Sequence, residues 1–529
     1  MNTKNKTRRD FLKSASIGVA AATLSPFLYG GGKQDYKRRP NVILIYTDDQ
    51  NYEQIGCYGG DVYTPHMDGM AKEGVRFTRA YVPTAICTPS RYSVTTGQYP
   101  GRCSHSRFKN KYPDGVQIEV SFNTPVNPDG LTLAKVMKNS GYKTGVVGKW
   151  DLGYPTAEEY GKEFLEPFPR TNAWIHVTGE ADPKDPKIST LLKRNHERLC
   201  QYAKSLGFEY ADALYRLNPE MWNHPLNIHN MEWVTDAALR FIDKNVDQPF
   251  FLYMAPTLHH IPHPQESLAQ ADPRITMAGY LDKAPNVQPP RDGIIPRVQK
   301  AGYKPETAYC TWLDDAVGAV IKRLQEYGLY DDTVVILMSD HQTHDKGSLY
   351  EGGVRTPCIM QYPKGIPPGK ICASLMQNID LIPTILDLCQ IEVPSDMQLD
   401  GSSMLPILHG DVDAVHKVLY FEYGWTRALC TERWKYLALR YSKAAEELKE
   451  KKGGRLYHDR VLEPHQHNVL LHHPNYWDPD QLYDLSIDSE ETTNLAYDPK
   501  YSDILNKMKG QMKEILKTFG DHPFGEFVE

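Results

Sequence analysis

Val42-Ile43-Leu44-Ile45-Tyr46-Thr47-Asp48-Asp49 sets an unbroken apolar run directly against two acids. A run of that length with no polar alternation is a strand buried on both faces, as in a parallel sheet, and the acids then stand just beyond its carboxyl end. Three more runs repeat the pattern. Thr144-Gly145-Val146-Val147-Gly148 leads into Lys149, Phe250-Phe251-Leu252-Tyr253-Met254 into His259-His260, and Val334-Val335-Ile336-Leu337-Met338 into Asp340-His341. Between them lie segments punctuated as helices: one opened by Thr64-Pro65 and closed by Gly74, Leu131–Ser140 closed by Gly141, Ile228–Asn245, and Ala308–Tyr327 closed by Gly328. Alternating strands and helices predict an α/β fold with a large mixed, mostly parallel sheet sandwiched by helices. Ligands of such sheets collect beyond the strand ends, where these charged residues would meet.

From about residue 410 the pattern changes. Val418–Phe421, Trp434–Leu439 and Asp480–Leu485 read as short strands and Ile504–Phe519 as a helix, giving a smaller C-terminal α+β domain over 411–529 beside a catalytic domain over 38–410. Residues 154–226 and 261–305 lack periodicity and read as long loops of the kind that bind ligands. With 529 residues, 40% hydrophobic and 24% charged, the chain is an ordinary folded protein. Its formal charge is −6; residues 1–32 hold five basic residues and one acid, so the remainder carries −10. That sign leaves no footprint for nucleic acid, and an anionic ligand would need locally concentrated cations.

Thr7-Arg8-Arg9-Asp10-Phe11-Leu12-Lys13, followed by a mild apolar run to Leu28, reads as a twin-arginine export signal over 1–32. The expected partner is the twin-arginine translocase and the expected location is the periplasm or the medium. No later stretch is apolar enough to span a membrane. Nine cysteines stand singly, with no C-x-x-C pair, so neither a zinc cage nor a disulfide framework is indicated.

Cys87-Thr88-Pro89-Ser90-Arg91, with Thr96-Gly97 after it, resembles the signature of the type I sulfatases of the alkaline phosphatase superfamily. Further landmarks match in order: Asp48-Asp49-Gln50, Gly141-Tyr142-Lys143-Thr144-Gly145-Val146-Val147-Gly148-Lys149-Trp150, His260-Ile261-Pro262, Ser339-Asp340-His341, the stretch from Lys346 to Pro357, and Asp484-Leu485 through Asn494-Leu495-Ala496. The resemblance implies that Cys87 is oxidised to formylglycine by a maturing enzyme and that its hydrate attacks sulfur. It also implies that Asp48, Asp49, Asp340, His341 and residue 87 hold one divalent cation. Calcium is expected, with Mg²⁺ or Mn²⁺ as alternatives; an imidazole at 341 suits transition metals better than calcium. Lys149, Lys346 and Arg91 would bind the ester anion and His260 would protonate the leaving alcohol.

Asp151 departs from the family pattern, which has histidine there, and reads either as a base or as structure. Arg102, His105 and Arg107 are candidate sugar contacts, and Trp174 with His176 a candidate stacking wall. Adjacent acids at 314–315 and 331–332 read as solvated or capping residues, and His465, His467, His472 and His473 as a solvated loop. The expected activity is hydrolysis of a sulfate monoester on a sulfated carbohydrate. The alternatives are a phosphoesterase or phosphonate monoester hydrolase of the same superfamily, and a non-catalytic glycan-binding relative.

Overall fold

The computed structural model describes residues 39–153, 182–219, 225–452, 456–457, 460–461 and 469–527. An eight-stranded sheet organises the protein. In spatial order its strands are Lys370–Cys372, Val75–Phe77, Cys358–Gln361, Thr333–Ser339, Asn41–Thr47, Phe250–Ala255, Lys143–Lys149 and Tyr210–Tyr215. The last five run parallel, and Cys358–Gln361 is antiparallel to both of its neighbours. The four strands read from sequence therefore sit side by side at the centre.

Their unbroken apolar character has a direct cause. Val42 and Leu44 pack into the core on one face of the sheet, Ile43 and Ile45 into the core on the other, so neither parity can be polar. The helices Pro65–Glu73, Met231–Asp243 and Ala308–Glu326 cover the second face. Pairing of Thr47 with Ser339 puts Asp48 and Asp340 next to each other, and the Asp48 amide donates to the Leu258 carbonyl at 2.9 Å. Register alone thus brings three strand ends to one place.

The long loops expected over 154–226 and 261–305 are partly regular. Pro186–Ser205 is a 20-residue helix capped by Asp185, Tyr210–Tyr215 is the edge strand of the sheet, and Pro264–Gln270 and Arg291–Lys300 are helices. Asp314 and Asp315 are buried, not solvated: Asp314 accepts from the His66 and Met67 amides at 3.1 and 2.8 Å, capping the helix that begins at Pro65, while Asp315 pairs with Arg297.

The C-terminal region holds a four-stranded antiparallel sheet in the order Leu419–Tyr423, Thr426–Cys430, Trp434–Leu439, Asp480–Asp484, including one strand not read from sequence, Thr426–Cys430. One face packs on the helix Ser502–Leu516; the other, through Phe421, Ala428 and Leu437, joins the same core as Val42 and Leu44. A buried ion network crosses this junction. Lys435, fully buried, lies 2.9 Å from Glu351 and 3.1 Å from Glu491, and Tyr81 donates to Glu351 at 3.0 Å. Replacing Lys435 by Met leaves two carboxylates facing each other without water, a loss of about 3–5 kcal/mol, visible as a lower denaturation midpoint; an unchanged midpoint would show the network to be dispensable.

His472 and His473 do not belong to a solvated loop. His473 is buried, stacks on Tyr350 at 3.6 Å and 6°, and sits 3.1 Å from Asp345, which His472 also contacts at 3.1 Å. His465 and His467 lie outside the described residues, as do Trp174, His176 and the 1–32 segment.

Candidate active site

Cys87 is the first residue of the helix Cys87–Thr96, whose ten residues are all buried and which Gly97 closes with φ 72°. Its Sγ lies 3.6 Å from an Asp48 oxygen and 3.3 Å from His341 Nε2. Ser90 in the next turn donates to the Asp340 carbonyl at 2.6 Å, and Asn378 donates to the Ser90 carbonyl at 3.0 Å, pinning the helix to the strand ends. Arg91, with no exposed surface, donates to Asp340 at 2.9 Å and stands 3.5 Å from Asp48.

Lys149 is aimed by a distortion of its strand. At Gly148 φ is 93° and the ladder to Tyr210–Tyr215 shifts register; a Cβ there would lie 2.0 Å from the Ala255 carbonyl oxygen, so only glycine fits. Beyond it, Lys149 Nζ meets both Asp48 oxygens at 2.8 and 2.9 Å. Lys346 Nζ does the same for Asp49, at 2.9 Å to each oxygen, and lies 3.0 Å from His260 Nε2. Asp151, at φ 44°, accepts from Thr88 at 2.9 Å and lies 4.0 Å from Lys149. Asp48, Asp49, Cys87, Arg91, Lys149, Asp151, His260, Asp340, His341 and Lys346 thus come from the segments at four strand ends and from the helix Cys87–Thr96 and converge on one small volume.

The electrostatics follow from burial and proximity. Burial alone would raise the Asp48 carboxyl, but Lys149, His260, Arg91 and Lys346 outweigh it and hold it well below the ordinary carboxylate range. Asp49, opposed in the same way by His260, Lys346 and His341, is brought down to about 2. Burial lifts the Asp151 carboxyl above its ordinary value, against the pull of Lys149 and Arg91. It also pushes the Cys87 thiol far up despite the two lysines.

The donor set fits a cation. Asp49, Cys87 and His341 form one group of ligand atoms within 4.8 Å of one another, and Asp48, Cys87 and Asp340 another. His341 Nδ1 stands 3.1 Å from the Gln342 carbonyl, which can only accept, so Nδ1 carries the proton. Its Nε2 lone pair then faces Asp49 at 3.2 Å, Cys87 Sγ at 3.3 Å and Asp340 at 3.7 Å, which groups a neutral imidazole nitrogen, a sulfur and two carboxylates as a bound cation would need them.

Other residues expected at the site are placed elsewhere. The Arg102 guanidinium is engaged by Asp400 at 2.8 Å and Thr518 at 2.7 Å and covers the Phe519 ring, and buried His105 caps the helix Ser106–Lys111. Arg107 follows on that helix. Two residues not singled out in the sequence join the site: Asn218, whose Nδ2 is 2.7 Å from His260 Nε2, and His229, whose Nε2 bonds the carbonyls of His260 and Pro262. Both come from segments whose sequence offers no motif.

Comparison with known proteins gives this geometry its context. The Sulfatase family model matches residues 40–391, and that of the N-sulphoglucosamine sulphohydrolase C-terminal region matches 339–452. The chain is 28% identical to arylsulfatase A of Homo sapiens over 485 residues, covering 87% of this chain and 83% of that protein. It is 26% identical to N-acetylgalactosamine-6-O-sulfatase of Bacteroides thetaiotaomicron over 548 residues, covering 91% and 94%. Among solved structures, the crystal structure of Ps i-CgsB in complex with k-i-k-neocarrahexaose shares the fold with a TM-score of 0.59 at 22% identity, covering 93% of this chain and 95% of that one. With two thirds of its length matched by the family model and a buried, cation-rich site at the expected strand ends, the chain belongs to the sulfatase family and is a sulfuric ester hydrolase.

Proposed function

We propose that the protein removes sulfate from a sulfated carbohydrate, using a formylglycine made from Cys87 and one divalent cation, with calcium favoured over Mg²⁺ and Mn²⁺. The observation that carries this reading is the meeting of Cys87, Arg91, Lys149, Lys346 and His260 with four candidate ligands, Asp48, Asp49, Asp340 and His341, at one sheet edge. Formylglycine, when installed, supplies a hydroxyl nucleophile, and the cation supplies Lewis-acid polarisation.

The remaining work falls to the side chains. Arg91, Lys149 and Lys346 are fixed positive charges in a water-poor site, where they are most effective against the charge of an ester anion. Their position is set before the substrate arrives, because each is already ion-paired to Asp48, Asp49 or Asp340. His260 Nδ1 stands 2.9 Å from the Ile261 carbonyl and donates to it, which leaves Nε2 directed at the site, where the imidazolium form gives its Nε2 proton to the leaving alcohol and returns to the neutral ring. Asp151, with its carboxyl raised by burial and oriented by Thr88, takes the base role that the family gives to histidine.

Carbohydrate as the acceptor is supported by relatives such as the N-acetylgalactosamine-6-O-sulfatase and the N-acetylglucosamine-6-O-sulfatase of Bacteroides thetaiotaomicron. Export through the twin-arginine translocase is supported by Arg8-Arg9 ahead of Phe11-Leu12-Lys13, and that route carries folded protein, so a maturing enzyme can act on Cys87 first. Among the described residues no helix is long and apolar enough to cross a membrane.

Paired assays on matched sulfate and phosphate esters of the same sugars, run on periplasmic, extracellular and cytoplasmic fractions of the native host, test this reading. Sulfate release should dominate, in an exported fraction. Preferred phosphate release would establish the phosphoesterase alternative, and activity confined to the cytoplasm would refute export.

A further inference from the structure

His229 is fully buried on the segment leading into the helix Met231–Asp243, and none of the family landmarks includes it. Its ring has three partners. Nδ1 is 2.8 Å from the Thr257 hydroxyl, and Nε2 is 2.9 Å from the carbonyl of His260 and 3.1 Å from that of Pro262. Carbonyls only accept, so Nε2 carries the hydrogen and shares it between the two; Nδ1 accepts from Thr257. Burial holds the ring neutral, bringing it down to about 4, which keeps this single pattern in place at any physiological pH.

The consequence lies in the third carbonyl. With the oxygens of His260 and Pro262 both bonded to His229, that of Ile261 between them accepts from His260 Nδ1. This bond holds the His260 ring with Nδ1 donating to Ile261 and Nε2 facing Lys346 and Asn218. We infer that His229 is a positioning residue which, by clamping the carbonyls on either side of Ile261, fixes the ring orientation of His260, so that its imidazolium form, with Nδ1–H held by the Ile261 carbonyl, presents the Nε2 proton to the leaving group.

This rests on the reading of His260 as the proton donor, and the test separates the two. A proton donor matters for a poor leaving group and little for a good one. Turnover of His229→Phe, His229→Gln and His260→Ala is compared with that of the parent protein on phenyl sulfate, a poor leaving group, and 4-nitrophenyl sulfate, a good one. His229→Phe should lose at least about tenfold in kcat on phenyl sulfate and less than about threefold on 4-nitrophenyl sulfate, with His229→Gln, which retains a donor, recovering most of the difference. His260→Ala should show the same selectivity in stronger form.

Equal losses of His229→Phe on both esters, or none, would overturn the inference while His260→Ala remained selective. An unselective His260→Ala would instead overturn the reading of His260. If His229→Phe does not fold, Thr257→Val removes the hydroxyl that fixes the clamp's hydrogen, and a folded Thr257→Val without selective loss on phenyl sulfate overturns the inference equally.

Discussion

Cys87→Ala is expected to abolish turnover, a fall of roughly 10⁵- to 10⁶-fold as seen when a covalent nucleophile is removed, while the protein folds and keeps its denaturation midpoint. The reason for the second half is geometric. The thiol pairs with Asp48 and His341 and belongs to neither apolar core, so its loss removes one sulfur from a polar pocket. The reason for the first is that, among the described residues, the hydroxyls and amines beside residue 87 are already engaged: Thr88 with Asp151, Ser90 with the Asp340 carbonyl, and Lys149 and Lys346 as paired ammoniums. Mass spectrometry of the parent protein provides the complement. The peptide carrying residue 87 should show CH₂SH replaced by CHO. A native protein that turns over with an intact thiol there, or a Cys87→Ala variant that retains activity, would refute the assignment.

The second large effect is expected at Asp340. Its oxygens accept from the Asp49 amide at 3.0 Å and from Arg91 at 2.9 Å, and it is one of the ligand candidates around Cys87. Asp340→Ala should strip the bound divalent ion, measured by elemental analysis of the purified protein, and lower kcat/KM by on the order of 10³-fold or more, the several kcal/mol that a metal contributes to a charged transition state. Arg91 is then left buried beside one fewer acid, so the variant should also unfold at lower denaturant. Retention of a full equivalent of metal in Asp340→Ala would remove Asp340 from the ligand set, whatever became of the activity.

The parts of this architecture legible in the sequence are those where one physical cause leaves a local trace. Val42–Tyr46 and Val334–Met338 announce themselves because burial on both faces forbids polar residues at either parity, and Pro65 and Gly74 mark helix ends because of what their backbones allow. The acids and histidines following the strands were legible for the same reason: they stand where the chain leaves the sheet.

What stayed hidden depends on tertiary contact. The helix Pro186–Ser205 buries Leu192, Leu199 and Ala203 at helical spacing, but the many charged residues between them mask the stripe in sequence. The edge strand Tyr210–Tyr215 is short and interrupted by Ala213 at φ 50°. His473 sits in a histidine-rich stretch whose composition says solvent, and its burial is created by Tyr350 and Asp345, more than 100 residues away in sequence. Asn218 and His229 carry no spacing signal because their partners are neighbours only in the folded chain. Arg102, which looks in sequence like a free cation near the site, is bound by Asp400 and by Thr518 near the chain's end.

The shared packing of the two sheets bears on how the protein can be dissected. Phe421, Ala428 and Leu437 fill the same interior as Val42 and Leu44, so a truncation after residue 410 would not liberate a smaller enzyme. It would strip one wall from the central sheet and leave Glu351, a few residues from Lys346, without its ammonium partner. The last quarter of the chain is therefore a scaffold for the chemistry rather than an appendage, and shortening the protein is a matter of trimming its surface loops.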